Sequence, residues 1–157
     1  MGNETHQSAV AISKRGAEFI AKWEGFRSKP YLDGGGVPTI GYGVTRYPDG
    51  RKVTMQDNPI TKEEGLALFH EVLVPFEDAV NELIVVPLTQ AQYDALVSFA
   101  YNVGIAALER STLRKKLNQG LYYAAAQEFD KWVKDNGKTV NGLVRRRKAE
   151  KELFLKG

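Results

Sequence analysis

Residues 21–43 read AKWEGFRSKPYLDGGGVPTIGYG. Glu24 stands between Trp23 and Gly25, and Asp33 follows nine residues later, ahead of Gly34, Gly35 and Gly36. The two carboxyl groups therefore have contrasting surroundings. Glu24 closes an amphipathic segment, where the negative end of a helix dipole and the rings of Trp23 and Phe26 both disfavour ionisation. Asp33 opens a glycine turn, polar and wet, where a carboxylate stays charged. One acid able to donate a proton, beside another that stays ionised, is the division of labour of glycoside hydrolysis. Spacing alone is weak support, because 19 of the 157 residues are acidic. A glutamate at a helix end is usually a solvated charge, and Asp before Gly is usually only a turn.

Upstream, residues 8–24 predict a helix. Ile12, Phe19, Ile20 and Trp23 recur at helical spacing, and Gly25 supplies a stop. Downstream, residues 30–58 are dense in Gly and Pro. There VPTIGYGVTRY and RKVTM flank PDG, a hairpin signal, in a β region too small to stand alone. From Thr61 the pattern is helical. TKEE, Thr61 to Glu64, is a capping box, and the helix it opens meets Pro75, which is expected to kink or break it. A second box, TQAQ from Thr89 to Gln92, opens a helix whose Tyr93, Leu96, Val97, Ala100 and Val103 share a face and which Gly104 closes. STLRKKLNQG and LYYAAAQEFDKWVKDNG each end in glycine, and a last helix is expected from about Gly142 to Leu155. The reading is α+β, with no internal repeat: a single domain over 1–157 with a small β-hairpin lobe at about 8–60, a long connecting helix at about 61–82, and a larger helical lobe at about 83–157.

Hydrophobic residues make up 43% and charged residues 26%, as in ordinary soluble globular chains. Without cysteine there is no disulfide framework, thiolate nucleophile or cysteine metal site. The balance of 22 basic against 19 acidic residues leaves +3, which favours polyanions such as cell wall, nucleic acid or acidic lipid. No run of about 18 apolar residues occurs, so no membrane span is expected. MGNETHQSAVAISKRGAEF lacks the cationic start and unbroken apolar core of a signal peptide. The Met1-Gly2 start carries little weight as a lipidation signal, since nothing supplies a second anchor. His6, in an expected N-terminal tail, and His70, near Phe69 and Val72, do not make a metal site, and no phosphate-loop, dinucleotide or zinc pattern occurs. No metal or cofactor is expected.

WEGFR followed by YLDGGGVPTIGYG resembles the signature of the T-even-phage-type lysozyme family (glycoside hydrolase family 24), especially its lambdoid phage and prophage endolysin branch. Glu24, Asp33 and Thr39 match it in identity and spacing. LTQAQYDALVSFAYNVG resembles the family's buried helix and GLVRRRKAEKELF its closing helix, so the resemblance runs through most of the chain. It implies a lysozyme-like fold with a cleft between the lobes. It also implies an endolysin muramidase that hydrolyses the β-1,4 bond between N-acetylmuramic acid and N-acetylglucosamine in bacterial peptidoglycan, with inversion, for host cell lysis. Glu24 is then the general acid, Asp33 the carboxylate that helps activate water from the opposite face, and Thr39 the hydroxyl that helps hold that water.

Substrate-binding candidates are Tyr42, Asn102 and Arg146. Tyr42 is either a sugar-stacking ring or a packed hairpin aromatic. Asn102, in YNVG with Gly104, matches a cleft-lining segment or is simply a helix end. In VRRRK at 144–148 the resemblance implies an arginine that pairs with the catalytic glutamate. Arg146 aligns best, with Arg145 and Arg147 open, and the pairing would lower the Glu24 pKa against the dipole and burial. The same run reads otherwise as a solvated helix face or a nucleic-acid patch. A monomer without a stable membrane anchor is expected, and the resemblance implies that it is held in the host cytoplasm until a holin, a separate membrane-permeabilising partner, releases it to the wall in the periplasm. Two rivals remain. A non-catalytic wall-binding module would need none of Glu24, Asp33 and Thr39. A nucleic-acid protein would cluster its basic residues, which are here scattered among acids.

Overall fold

The computed structural model describes residues 8–157; His6 and the Met1-Gly2 start lie outside the described residues. Contacts group Ala17–Val74 as one unit, and residues 8–16 with Pro75–Gly157 as another. The contacts divide the chain elsewhere than at the expected lobe bounds, and long-range hydrogen bonds are the reason for residues 8–13. Residues 8–13 spend their polar groups on the helical unit. Ala9 N donates to Leu88 O at 3.0 Å, Tyr93 Oη and Asn81 Nδ2 each donate to Val10 O at 3.0 Å, and Ile12 N donates to Glu77 Oε1 at 2.7 Å. Helix α1 accordingly spans Lys14–Glu24, not 8–24. Ser13 caps it, accepting from Gly16 N at 2.9 Å while its hydroxyl donates to Asp94 Oδ2 at 2.5 Å.

In the smaller unit, β1 (Arg27–Leu32) and β2 (Pro38–Gly41) form an antiparallel hairpin with Tyr31 opposite Thr39 and Leu32 opposite Pro38. The strand pair expected around PDG is reduced to a bridge between Arg46 and Lys52, closed by Tyr47 N donating to Arg51 O at 2.9 Å. Asp57 ties this loop together, accepting from Tyr47 Oη at 2.5 Å and from Thr54 Oγ1 at 2.6 Å. Side-chain bonding to backbone and neighbours replaces a longer ladder here. Ile40, Val44 and Val53 form a buried cluster, with Tyr47, Ile60, Leu68 and Val72 packed on it.

Helix α2 spans Lys62–Leu83. Its capping box is formed: Thr61 N donates to Glu64 Oε1 at 2.8 Å and Glu64 N to Thr61 Oγ1 at 3.0 Å. Pro75 lies inside the helix without ending it. Pro75 and Glu71 are exposed, so the carbonyl that loses its partner can be hydrated.

The helical unit holds α3 (Gln90–Val103), α4 (Ile105–Arg110), α5 (Thr112–Asn118), α6 (Tyr122–Glu128) and α7 (Asn141–Lys156), plus a short 3₁₀ turn at Phe129–Lys131. Gly104 does close α3, its N–H donating to Ala100 O at 2.8 Å, but at φ +98° it also opens α4, which the pattern did not announce. Helix α3 is enclosed on every side, since Gln92 to Ala100 are all buried, rather than along one face. Each buried polar group in it has a partner: Gln92 completes the second capping box, Asp94 holds Ser13, and Ser98 reaches Glu150. Around α3 the rings of Phe99, Phe129 and Phe154 stack edge-on, with centroids 5.4 and 5.7 Å apart along the series. A second hairpin, β3 (Lys134–Asp135) with β4 (Lys138–Thr139), turns at Asn136 and Gly137, both with positive φ. This is the Asn-Gly turn chemistry of a two-residue hairpin. Among the described residues no helix is long and apolar enough to cross a membrane.

Candidate active site

Helix α1 delivers Glu24 at its last turn. Gly25 then takes φ +73°, its N–H donating to Ala21 O at 3.3 Å, and the chain leaves the helix for β1. Glu24 is half-buried. The TIGYG turn approaches it closely, because a Cβ on Gly43 would sit 3.2 Å from Glu24 Oε1. With φ at +79°, Gly43 is a position where both backbone and space call for glycine. Gly41 serves packing instead, its missing Cβ lying 3.2 Å from Ile60 Cδ1. The two glycines thus make room for protein neighbours.

Asp33 begins the turn between β1 and β2. Its backbone N–H donates to Val37 O at 3.0 Å and its carbonyl accepts from Gly36 N at 2.9 Å. Its carboxylate folds over the glycines, Oδ1 accepting from Gly35 N at 2.8 Å and from Val37 N at 2.9 Å. The bland and the functional readings of Asp33 are therefore compatible. Oδ1 builds the turn, and Oδ2 is not spent on it. The side chain is exposed, as the wet setting of a glycine turn implies.

Thr39 lies on β2 and is only 3% exposed. Its hydroxyl donates to Val37 O at 2.8 Å. With the proton spent on the carbonyl, the oxygen presents lone pairs to anything else that approaches it. The hairpin thus carries a carboxylate and an accepting hydroxyl, both tied to the backbone of Val37.

Tyr42 is half-buried within an aromatic group, its ring centroid 5.2 Å from Phe26 and 6.0 Å from Phe69. Gly65 makes space for it: a Cβ there would meet Phe26 Cε1 at 2.7 Å and Tyr42 Cδ2 at 3.5 Å. The packed-aromatic reading describes these contacts.

On α7 the VRRRK run divides. Arg145 and Lys148 are exposed, as a solvated face requires, while Arg146 and Arg147 are buried. Arg146 Nε donates to Glu150 Oε2 at 3.2 Å and Nη2 to Ser98 O at 3.2 Å. Arg147 Nη2 donates to Asn102 Oδ1. Arg147 Nη1 lies 2.9 Å from Glu150 Oε1 as an ion pair that is not aligned as a hydrogen bond. Ser98 Oγ donates to Glu150 Oε2 at 2.5 Å. Burial pushes the Glu150 carboxyl upward, against the pull of Arg147, Ser98 and Arg146, and pushes the Arg147 guanidinium downward. The sequence reading passed over Ser98 and Glu150. A signal existed for Glu150, which stands four residues after Arg146 and three after Arg147 on one helix.

Asn102 is exposed near the end of α3 and lines a groove of about 530 Å³ with Val103, Trp132, Lys134, Val140 and Leu143. Among the described residues no group of three or more His, Cys, Asp or Glu side chains could hold a metal.

A family profile described as phage lysozyme matches residues 21–150. The endolysin of Bacillus phage B103 is 44% identical over 146 residues, covering 93% of this chain and 54% of that protein, so the chain spans about half the length of that relative. The endolysin of Salmonella phage P22 is 43% identical over 146 residues, covering 93% of this chain and 99% of that one. The crystal structure of a P22 lysozyme mutant is similar with a TM-score of 0.85 and 40% identity, over 92% of this chain and 98% of that chain. The muramidase domain of SpmX from Asticaccaulis excentricus is similar with a TM-score of 0.77 and 39% identity, over 92% of this chain and 97% of that chain.

Proposed function

Because the chain belongs to the phage lysozyme family, we propose that Glu24, Asp33 and Thr39 make it an inverting muramidase of bacterial peptidoglycan. The protein is an endolysin-type glycoside hydrolase that opens the β-1,4 bond between N-acetylmuramic acid and N-acetylglucosamine. Glu24 protonates the leaving glycosidic oxygen. A water attacks the anomeric carbon from the opposite face of the ring, and Asp33 takes its proton.

The observation that carries this reading is the Thr39 hydroxyl bond to Val37 O at 2.8 Å. A nucleophilic water has two protons to place. If one goes to Asp33 and the other to the accepting Thr39 oxygen, a lone pair is turned toward the sugar. Inversion requires carboxyl groups roughly 6.5–9.5 Å apart, which leaves room for that water, whereas a retaining pair stands at about 5–5.5 Å. Tyr42 and Arg146 act behind the site as packing and charge, and Asn102 meets the glycan. The working cycle is accumulation in the host cytoplasm as a monomer and release to the wall by a separate membrane-permeabilising partner.

The test is twofold. Glu24→Gln should lower clearing of a wall suspension by at least about a hundredfold, in the range of general acid catalysis, with the thermal midpoint retained. Proton NMR of a defined oligosaccharide during cleavage should show the α anomer released first. Initial release of the β anomer would sink the inverting assignment, and a loss under about tenfold in Glu24→Gln would remove Glu24 as the acid.

A further inference from the structure

Arg147 is fully buried, yet the mechanism does not use it. Its guanidinium stacks 5.2 Å from the Phe99 ring centroid and pairs with Glu150 at 2.9 Å. Among the described residues its only hydrogen bond runs from Nη2 to Asn102 Oδ1; Nε and Nη1 make none. Stability alone does not account for an arginine here. Apolar residues of similar volume commonly match or exceed a buried ion pair, and Glu150 is already held by Arg146 at 3.2 Å and by Ser98 at 2.5 Å.

The chemistry of the contact fixes an orientation. A guanidinium only donates, and the acceptor of an amide side chain is its oxygen. Asn102 must therefore turn Oδ1 toward the buried Arg147, which leaves both Nδ2 protons to the exposed side, where Asn102 lines the groove with Trp132, Val140 and Leu143. A free asparagine would present either end. This one, backed by a packed and charged donor, is preset as a donor.

The geometry points to Arg147 as a positioning residue that holds the Asn102 amide with Nδ2 toward the groove, as a hydrogen-bond donor to an acetamido carbonyl oxygen of the glycan. The inference rests on the muramidase reading for the identity of the ligand. It adds that recognition at this position needs an acceptor on the sugar, and that the preference is set from behind by a residue that never touches the substrate. Glu150 supports the same arrangement by compensating the Arg147 charge.

Two variants and their combination test it, with soluble oligomers of the N-acetylglucosamine–N-acetylmuramic acid disaccharide as substrate. Asn102→Asp keeps an oxygen for Arg147 and removes the donor. Arg147→Met removes the hold and leaves Glu150 with Arg146 and Ser98. Each should raise KM by about three- to tenfold, the range of one hydrogen bond, with kcat close to wild type. The double variant should be no worse than Asn102→Asp alone, because both changes delete one contact. In the wild-type protein the Asn102 side-chain amide protons should shift in NMR spectra as the oligomer is added. A wild-type KM in Asn102→Asp, strictly additive effects in the double variant, or unmoved amide protons at saturating oligomer would each overturn the assignment. Asn102→Asp and the NMR titration keep it falsifiable if Arg147→Met fails to fold. If the wild-type protein binds the oligomer with shifted Asn102 protons but does not cleave it, the muramidase reading falls while the positioning role stands.

Discussion

Gly43→Ala separates two costs that the structure places on one atom. Gly43 has φ +79°, and its added Cβ would lie 3.2 Å from Glu24 Oε1. Holding an alanine in the left-handed region costs about 1–2 kcal/mol. In a chain of this size each kcal/mol is worth about 2–4 °C of thermal midpoint, so a drop of about 2–8 °C is expected. The contact itself acts on the acid. A separation of 3.2 Å is a few tenths of an ångström inside the roughly 3.5 Å optimum, so the Glu24 carboxyl must give by about that much. If a misplacement of about 1 Å costs on the order of a hundredfold, this smaller shift should cost roughly three- to tenfold in rate. Gly50→Ala is the matched control, because Gly50 has φ +92° and nothing within 4 Å of its Cβ position. It should lose similar stability and no activity. Initial rates of wall clearing, measured well below both midpoints and read beside thermal melts, decide the matter. Equal clearing by the two variants would refute the claim that Gly43 is kept small for the sake of Glu24.

Acid should loosen the Tyr47–Asp57 loop at a definite place. Hydrogen bonds from Thr54 and then Tyr47 hold Asp57 down to about 2 from its ordinary 3.8, so its contribution is complete above about 3.8 and is lost as the pH falls through about 2. Burial, followed by the Asp57 bond, pushes Tyr47 up to about 12, so the same contact is lost from the other side as the pH rises through that value. The protection of the Thr54 amide against exchange, relative to its unfolded rate at the same pH, should hold from about pH 4 to 10, and protection that fades near pH 6 would contradict it. Phe99→Ala, which removes a ring stacked 5.4 Å from Phe129 and 5.5 Å from Trp132, should cost about 3–5 kcal/mol in denaturant unfolding; a loss below about 1 kcal/mol would mean the site collapses to fill the space. With a net charge of +3, wall clearing should fall as salt shortens the Debye length below about 10 Å, while cleavage of a short neutral chito-oligosaccharide changes little. Equal salt responses would exclude capture by charge.

Local chemistry was readable from the chain alone. The stop at Gly25, both capping boxes and the closing helix follow from contacts spanning three or four residues, and such contacts form wherever their residues occur in that order. So does the turn at Asp33, whose carboxylate binds amides two and four residues ahead. The order Glu24, Asp33, Thr39 is likewise a property of the linear sequence, and it is what makes the family recognisable. The β3–β4 hairpin had a cue in its Asn-Gly turn. Its strands are two residues each, too short to show an alternating pattern.

Contacts across long separations were decided only by the tertiary structure. Residues 8–13 continue the helical pattern of α1, yet stay outside the helix because Leu88, Asn81, Tyr93, Glu77 and Asp94, 65 to 83 residues away, offer their polar groups better partners. The VRRRK run could not be divided into solvated and buried arginines by its own pattern. Ser98 and Asn102, 48 and 45 residues upstream of Arg146 and Arg147, decide which guanidinium is buried and what it holds. Those partners stand on α3 and come within reach of the guanidinium groups on α7 only in the folded chain.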